Sequence, residues 1–267
     1  MTQAILLAMA GTSSPDAMRT LRHLEDRVAQ RFEGVRRFWT YTSSGVRRKL
    51  ALRGTPVDSP AECLARMRQE GVTRVAVKSL HLASGMEYTE LREEIENARQ
   101  GFAQISLSKP LLEEEPDFAH TVRCLLDAMP AGKSPEDESL LLVAHGSRTS
   151  EAQGVYASAS ALSKAVDRRI LFGVMLMKPG LPEVVQMCKT EGIRAVRLMP
   201  LMIVAGMSAR TELAGDRPDS WQSVLESNGI RCTPLLRGLA DDDRIVDVWL
   251  DDVGRRLAAK AKGRDNA

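Results

Sequence analysis

Two of the four histidines in this chain stand where a buried strand is expected to end. His145 follows the apolar run LLLVA at residues 140–144, and His81 follows RVAVKSL, six residues before Glu87. An imidazole takes up protons near neutral pH, as does a partly desolvated carboxylate, and both groups bind divalent metals. These residues therefore predict a site for a ligand that must lose protons.

Glycine and hydroxyl residues fill the turns after two expected strands, in AGTSS at 10–14 and HGSRTS at 145–150. Backbone N–H groups at a helix start suit a carboxylate or another small anion. The candidate substrate contacts in these turns are Gly11, Thr12, Ser13, Gly146 and Ser147. Helix capping by Ser13, Ser14 or Thr149 explains the hydroxyls equally well. Neither turn has a GxGxxG, GxxxxGK[ST] or GxSxG pattern, so no nucleotide site or serine nucleophile is predicted.

Other residues able to do chemistry have ordinary structural interpretations. His23 and His120 lie in segments of helical spacing, and we interpret them as surface or core-edge residues. The four cysteines are too scattered for a metal pair or a disulfide framework, so we expect small buried apolar residues at Cys63, Cys124, Cys188 and Cys232. The basic cluster of Arg47, Arg48 and Lys49 either meets acidic substrate groups or forms a solvated helix face.

Short apolar runs alternate with segments of helical spacing, and these elements must position the candidate residues. The predicted strands are 4–10, 74–82, 104–107, 140–144, 170–177 and 195–204. The predicted helices are 15–30, 61–69, 88–99, 118–128, 151–166 and 182–191. This alternation is typical of α/β proteins with parallel sheets, helices on both faces and a ligand site at the carboxyl edge of the strands.

The chain contains an internal repeat. LLAMAGTSS matches LLVAHGSRT, with Gly146 placed 135 residues after Gly11, and EGVTRVAV matches EGIRAVRL, with Gly206 placed 121 residues after Gly85. The first copy is therefore longer, and we place its extra length within residues 36–59.

The repeat predicts two similar α/β halves whose active edges face a shared cleft. We assign residues 1–130 to the first half and residues 139–258 to the second. A polar linker, Met129 to Glu138, joins them, and residues 259–267 form a frayed tail.

Composition predicts a globular protein without a polyanionic partner. Apolar residues make up 43% and charged residues 27%, and the net charge is +2. The first apolar run is short and has no basic region before it, and no run reaches the roughly 18 residues of a membrane span. We expect a cytoplasmic protein with no nucleic-acid or membrane partner, and homo-oligomer formation is left open.

Five segments resemble the anaerobic cobaltochelatases, class II chelatases that insert Co(II) into sirohydrochlorin or its precorrin form. They are GTSS at 11–14, YTSSGVRRKL at 41–50, VAVKSLHLASGMEYTEL at 75–91, AHGS at 144–147 and LMPLMIVAGMSARTELAGDRPDSW at 198–221. The resemblance covers about residues 4–258. It implies the chelatase fold, with two flavodoxin-like halves and a tetrapyrrole in the cleft between them.

Matching positions imply roles for two residues. The family's GHG histidine, a proton acceptor and metal ligand, falls on His145, and the carboxylate of its GxEY turn falls on Glu87. We expect His81 and Ser208 to be further substrate contacts. The resemblance also implies a divalent metal as substrate, with cobalt favoured over Fe²⁺ and Ni²⁺, and no organic cofactor.

Two other family metal ligands are not retained. The second family histidine, in VAGDHA, falls on Ser208 in VAGMSA, and a glutamate in GxVExYP aligns with Leu176 in GVMLMKP. Leucine cannot ligate, and a hydroxyl is a poor neutral ligand for Co(II). Met207 or Met175 can offer a thioether, although we interpret both as packing residues.

Three hypotheses follow. In the favoured one, the chain is a chelatase-type enzyme in which His145 accepts pyrrole protons and Glu87 assists proton removal or metal delivery. In the second, motivated by Leu176 and Ser208, it is a catalytically degenerate carrier or sensor of a tetrapyrrole or metal. The third, an unrelated α/β enzyme such as a phosphatase or esterase, has no motif in its support.

Overall fold

A computed structural model of the chain describes residues 2–127, 129, 138–147, 149 and 151–259. Its strands form two parallel four-stranded sheets. The first sheet contains β1 (Gln3–Met9), β2 (Arg36–Tyr41), β3 (Arg74–Ser79) and β4 (Gln104–Leu107), in the order β2-β1-β3-β4. The second contains β5 (Ser139–Ala144), β6 (Ile170–Val174), β7 (Ala195–Leu201) and β8 (Arg231–Pro234), in the equivalent order β6-β5-β7-β8. The predicted fold class is confirmed.

Helices connect the strands in both halves. The first half has α1 (Pro15–Arg31), α2 (Ser44–Leu52), α3 (Pro60–Gln69), α4 (Met86–Ala98) and α5 (Glu115–Leu126). The second has α6 (Glu151–Val166), α7 (Leu181–Thr190), α8 (Trp221–Ser227) and α9 (Asp243–Ala258). Short 3₁₀ turns lie at Arg99–Gly101, Leu111–Glu113 and Leu239–Asp241, and a π-helical turn spans Ala209–Leu213.

One layer of helices is shared by the two sheets. Successive residues of a strand point to opposite faces. In β1, Leu7 therefore lies in the shared core while Leu6 lies in an outer core. In β5, Leu142 points inward and Leu141 outward in the same way. Helices α1, α5, α6 and α9 fill the shared layer, α3 and α4 cover the first sheet, and α7 and α8 cover the second.

The last helix crosses from the second half to the first. Helix α9 packs on β3, where Lys78 Nζ lies 3.1 Å from Asp252 Oδ2, and Arg256 Nε donates to the same oxygen at 3.0 Å. The side chains of Lys78 and Asp252 are only 7% and 12% exposed. Burial lowers the pKa of Lys78 despite the opposing charge of Asp252. Removing one partner of such a pair leaves a buried charge and costs about 3–5 kcal/mol.

The extra length of the first copy is helix α2. Thr42 N donates to Met9 O (2.8 Å) as Met175 N donates to Ala144 O (2.9 Å), so the chain leaves both sheets in the same way. The first half then inserts α2 before α3, whereas the second half passes almost directly into α7. The extra residues lie within 36–59, as predicted.

Several predicted boundaries need correction. The strands predicted to reach Leu82, Met177 and Val204 end three residues earlier, because the chain turns into the cleft loops at those points. Strands β2 and β8 and helices α2, α8 and α9 were not predicted. Residues 130–137 of the predicted linker and residues 260–267 of the predicted tail lie outside the described residues, so those predictions remain open.

Two further expectations concern membrane-spanning helices and the state of the cysteines. No helix within the described residues is long and apolar enough to cross a membrane. The four cysteines, Cys63, Cys124, Cys188 and Cys232, are buried and free, as predicted.

Candidate active site

His145 stands at the carboxyl end of β5 with an exposed side chain. The turn after it depends on Gly146, whose φ of +87° is unfavourable for other residues. A Cβ on Gly146 would also lie 2.7 Å from Val174 Cγ1 and 3.4 Å from Leu176 Cβ. The glycine therefore lets the backbone turn tightly against β6 while the imidazole stays at the sheet edge.

The two halves meet through a pair of equivalent contacts. A Cβ on Gly85 would lie 2.7 Å from Ser147 Oγ, and a Cβ on Gly206 would lie 3.7 Å from Thr12 Oγ1. In the repeat, Gly85 corresponds to Gly206 and Thr12 to Ser147. Each glycine loop therefore contacts the first-strand turn of the opposite half, and the active edges share one cleft.

Glu87 enters this cleft from the first turn of α4. Burial raises the pKa of its carboxyl, partly opposed by a hydrogen bond from Ser43; the charge of Glu90 raises it further, and Thr42 and His145 lower it. Gly85, two residues before Glu87, lies against Ser147, two residues after His145, so both residues belong to the contact region between the halves. A carboxylate with a raised pKa is a stronger base near neutral pH.

His81 is buried, with 9% of its surface exposed. Its Nδ1 lies 2.9 Å from Ser79 Oγ, and its Nε2 lies 3.0 Å from Thr42 Oγ1. Burial lowers its pKa to about 4, so the ring is neutral at pH 7. Direct contact of this ring with a substrate would require one of its protein partners to move.

In the turns after β1 and β5, the hydroxyl side chains accept hydrogen bonds from backbone groups of the same turn. Ser14 N donates to Thr12 Oγ1 at 3.1 Å, and Thr149 N donates to Ser147 Oγ at 3.3 Å at the equivalent place. Ser14 precedes α1 but makes no side-chain capping hydrogen bond. The proposed anion contacts of these turns therefore rest mainly on backbone groups.

Two more predicted contacts, Gly11 and Ser13, lie in the turn after β1. Gly11 has φ +99°, and a Cβ there would lie 2.5 Å from the Tyr41 ring, so only glycine fits. The backbone oxygen of Ser13 accepts a hydrogen bond from Arg53 Nη1 at 2.9 Å. This carbonyl is therefore already bonded within the protein.

Two positions at which the family has metal ligands carry other residues here. Leu176 lies beside His145, and Ser208 lies in the loop after β7. Leu176 N donates to His145 O at 3.2 Å, and the Leu176 side chain is 42% exposed. Ser208 is half-buried and precedes the π-helical turn. Among the described residues, no group of three or more His, Cys, Asp and Glu side chains can hold a metal ion. A preformed metal site within that part of the chain is therefore not built from such residues.

Large apolar side chains are exposed where the cleft loops end. Met86 is 63% exposed and Met207 65%, and they occupy equivalent positions after Gly85 and Gly206. The interpretation of Met207 as a packing residue is therefore wrong, whereas Met175 packs against the second outer core. Exposed apolar surface beside polar groups is typical of ligand-binding clefts.

Within the basic cluster, Arg47 has a structural contact. Its Nη1 donates to Tyr41 O at 2.5 Å and to Thr42 O at 2.7 Å, which fixes the chain after β2. Arg48 and Lys49 are exposed on α2, as expected of a solvated helix face. Outside the cleft, His23 Nε2 lies 2.8 Å from Asp243 Oδ1, in keeping with its interpretation as a surface residue.

Solved structures that superpose on this chain include two of SirB. A SirB structure from Bacillus subtilis with Fe3+ superposes with a TM-score of 0.68 and 16% identity, covering 97% of this chain and 96% of that one. The sirohydrochlorin chelatase SirB from Bacillus subtilis subspecies spizizenii, in complex with cobalt, gives 0.65 and 14%, covering 96% and 95%. At these identities the likeness shows the fold.

Sequence comparison shows the family. The chain is 37% identical over 259 residues to sirohydrochlorin cobaltochelatase CbiKC of Nitratidesulfovibrio vulgaris, covering 96% of this chain and 91% of the relative. It is 30% identical to sirohydrochlorin cobaltochelatase of Salmonella typhimurium, covering 96% and 97%. Residues 3–257 match the family model described as Cobalt chelatase (CbiK). The chain therefore belongs to the CbiK cobalt chelatase family.

Proposed function

We propose that this chain inserts a divalent metal, cobalt in the first instance, into sirohydrochlorin or a close tetrapyrrole relative. Family membership and the named activity of the two relatives support the reaction class. The observation that carries the assignment in this chain is the contact of the loop before Glu87 with the turn after His145, where a Cβ on Gly85 would lie 2.7 Å from Ser147 Oγ.

The reaction requires two bases or one base used twice. Insertion of a divalent cation into a free-base tetrapyrrole releases two pyrrole N–H protons, since the macrocycle must become a dianion. We assign the first proton acceptor to exposed His145, while Glu87, whose pKa burial raises, is suited to the second proton or to metal delivery. Apolar contact with the macrocycle is assigned to Met86 and Met207.

The metal is a substrate, and the tetrapyrrole nitrogens supply most of its final ligands. Leu176 cannot ligate and Ser208 is a weak ligand, so this chain offers the incoming ion fewer protein ligands than the family pattern implies. We propose that His145 is the protein ligand that contacts the metal transiently, and that Glu87 helps to deliver the metal to it. The work of the protein is then positioning and proton removal.

An anaerobic absorbance assay tests the proposal. Purified protein is mixed with sirohydrochlorin and Co²⁺, and the spectral change is followed beside protein-free and metal-only controls. We expect insertion well above the uncatalysed rate and loss of that excess in His145→Ala. Wild-type activity in His145→Ala would overturn the assignment of the base.

A second candidate function is carriage or sensing of a tetrapyrrole or metal. Its specific support is the presence of Leu176 and Ser208 at family ligand positions. It predicts a spectral shift on binding without catalysed insertion, and a gain of insertion in Ser208→His but not in Ser208→Ala. If Ser208→His binds Co²⁺ no better than the parent, the family ligand does not belong at this position.

Several other expectations remain predictions. They are the absence of an organic cofactor, the absence of nucleic-acid and membrane partners, a cytoplasmic location, and the boundaries of the two halves; homo-oligomer formation stays open.

A further inference from the structure

A chain of hydrogen-bonding side chains leads from the buried end of β3 to the cleft. Ser79 Oγ lies 2.9 Å from His81 Nδ1, His81 Nε2 lies 3.0 Å from Thr42 Oγ1, and Thr42 Oγ1 lies 3.5 Å from Glu87 Oε2. Ser79, His81 and Thr42 are buried, and Glu87 is half-buried at the cleft. This series of hydrogen bonds therefore links three buried groups, which are shielded from water, to the proposed base Glu87.

The hydrogen bonds of Ser79 indicate which nitrogen of His81 carries the proton. The backbone N–H of His81 already donates to Ser79 Oγ at 3.2 Å. Within the described part of the protein, His81 Nδ1 is then the acceptor that lies within hydrogen-bonding distance of the Ser79 hydroxyl hydrogen. If Nδ1 accepts, a neutral ring must carry its proton on Nε2. Burial, which lowers the pKa of His81 to about 4, supports the neutral ring.

This tautomer determines what Thr42 can do. With the proton on Nε2, His81 donates to Thr42 Oγ1, and the hydroxyl hydrogen of Thr42 is free for an acceptor. Two acceptors lie near it, Met9 O at 3.2 Å and the Glu87 carboxylate at 3.5 Å. In the other tautomer, Thr42 would donate to Nε2 and could not donate to Glu87. A hydrogen bond to a charged carboxylate is stronger than one to a neutral carbonyl.

We infer that Ser79, His81 and Thr42 form a hydrogen-bond relay that positions the Glu87 carboxylate toward the cleft. The three act through Glu87 and are positioning residues, and the inference rests on the proposed function for its catalytic meaning. The relay is confined to the first half. By sheet register and repeat, its equivalents in the second half are Pro200, Met202 and Met175, which cannot pass on such hydrogen bonds.

Thr42→Val tests the relay by removing the hydroxyl while keeping the shape of the side chain. We expect kcat for metal insertion to fall about tenfold while KM for the tetrapyrrole stays within about twofold, because the loss affects orientation of the base. Thr42→Ser restores the hydroxyl and should recover kcat to within about threefold of wild type.

Thr40→Val is the matched control. Thr40 lies in the same strand region, is fully buried, and donates its hydroxyl to Asp58 O at 3.0 Å, away from Glu87. We expect wild-type kcat in Thr40→Val. Equal losses in Thr40→Val and Thr42→Val, or wild-type kcat in Thr42→Val, would overturn the relay.

The tautomer can be measured without any substrate. In protein labelled with ¹⁵N-histidine, long-range ¹H–¹⁵N correlations at pH 7 should show His81 protonated on Nε2, with the signal assigned by its loss in His81→Gln. Ser79→Ala should give a mixture of tautomers. An Nδ1-protonated ring in the wild-type protein would overturn the inference. Because this readout needs no activity, it separates failure of the relay from failure of the proposed function.

Discussion

The two copies of the repeated unit share a backbone and differ in the side chains able to do chemistry. Leu111 N donates to His81 O in the first copy as Leu239 N donates to Met202 O in the second, at 3.1 and 2.8 Å. The loops therefore leave their sheets alike. Yet one copy has an imidazole and the other a thioether at the same place.

At the end of the first strand of each half, it is the second half that carries the residue able to do chemistry. Ser43 N donates to Ala10 O as Leu176 N donates to His145 O, each at 3.2 Å, so Ala10 is the counterpart of His145. The first half keeps Glu87 with its relay, and the second half keeps His145. The repeat thus supplies two equivalent edges with one proposed proton acceptor on each, so that the proposed site needs both halves.

A double-mutant cycle on the two bases gives the largest expected effect. His145→Ala should lower kcat/KM about 10³-fold and Glu87→Gln about 10²-fold, within the range for general acid–base groups. If both groups act on one proton-transfer sequence, the double variant should lose little more than His145→Ala alone. Anaerobic insertion rates, corrected for the uncatalysed reaction, measure each value.

The matched controls for this cycle lie outside the cleft. His23→Ala removes an exposed histidine of α1, and Glu93→Gln removes an exposed carboxylate of the same helix as Glu87. Both should retain wild-type rates. Fully additive losses at His145 and Glu87 would show that the halves contribute independently, against the division of one task between them.

Acid stability separates His81 from its counterpart Met202. The unfolded chain titrates this ring near 6.5, but the folded protein titrates it near 4, so between these values only the unfolded chain binds the proton. Stability from this group is present above pH 6.5 and is lost as pH falls toward 4. Between pH 7 and pH 5 the loss should be about 2 kcal/mol.

Urea unfolding at pH 7 and pH 5 measures this effect. His81→Met, which gives the first copy the residue of the second, should lose about 2 kcal/mol less than wild type over that interval, whatever its stability at pH 7. Equal pH dependence in the two proteins would mean that His81 is protonated in the folded state as readily as in the unfolded chain.

The smallest expected effect concerns the two glycines that hold the halves together. An alanine Cβ at Gly85 would meet Ser147 Oγ at 2.7 Å, whereas one at Gly206 would meet Thr12 Oγ1 at an ordinary 3.7 Å. We expect Gly85→Ala to lower kcat about fivefold, by displacing the turn beside His145, and Gly206→Ala to stay within about twofold.

A second-site change checks the cause of that loss. Combining Gly85→Ala with Ser147→Ala removes the hydroxyl at 2.7 Å and leaves the Cβ contact of 3.2 Å, so the rate should return toward that of the Ser147→Ala single variant. If the two glycine variants are equally active, the contacts between the halves are looser than the structure indicates.

Most of the fold could be predicted because central strands buried on both faces are continuous apolar runs. Strand β2 was missed because it begins with two arginines. The guanidinium groups of Arg36 and Arg66 lie over the Phe38 ring, at 5.3 and 5.1 Å from its centre, and no local sequence pattern predicts this packing. Strand β8 is a short edge strand that ends in Pro234. The crossing of α9 depends on contacts between distant parts of the chain.

The site was predictable to the extent that strand ends and family motifs mark it. Glu87 and His145 come from such positions, and the loop before Glu87 contacts the turn after His145 through Gly85 and Ser147. The roles of Thr42 and Ser79 could not be predicted, because they depend on contacts with His81 across a sheet edge. Met207 was wrongly interpreted because it follows an apolar stretch of sequence, which suggested packing, whereas its side chain is exposed to solvent.

The crossing of α9 constrains the order in which the protein can fold during synthesis. Lys78 precedes its partner Asp252 by 174 residues. At about 5–20 residues per second, the ribosome needs about 10–35 s to make that segment. The part of the first sheet that α9 covers, at β3, stays open for this time, and the Lys78 ammonium lacks the Asp252 carboxylate until α9 emerges. Completion of the first half therefore waits until α9 has been made.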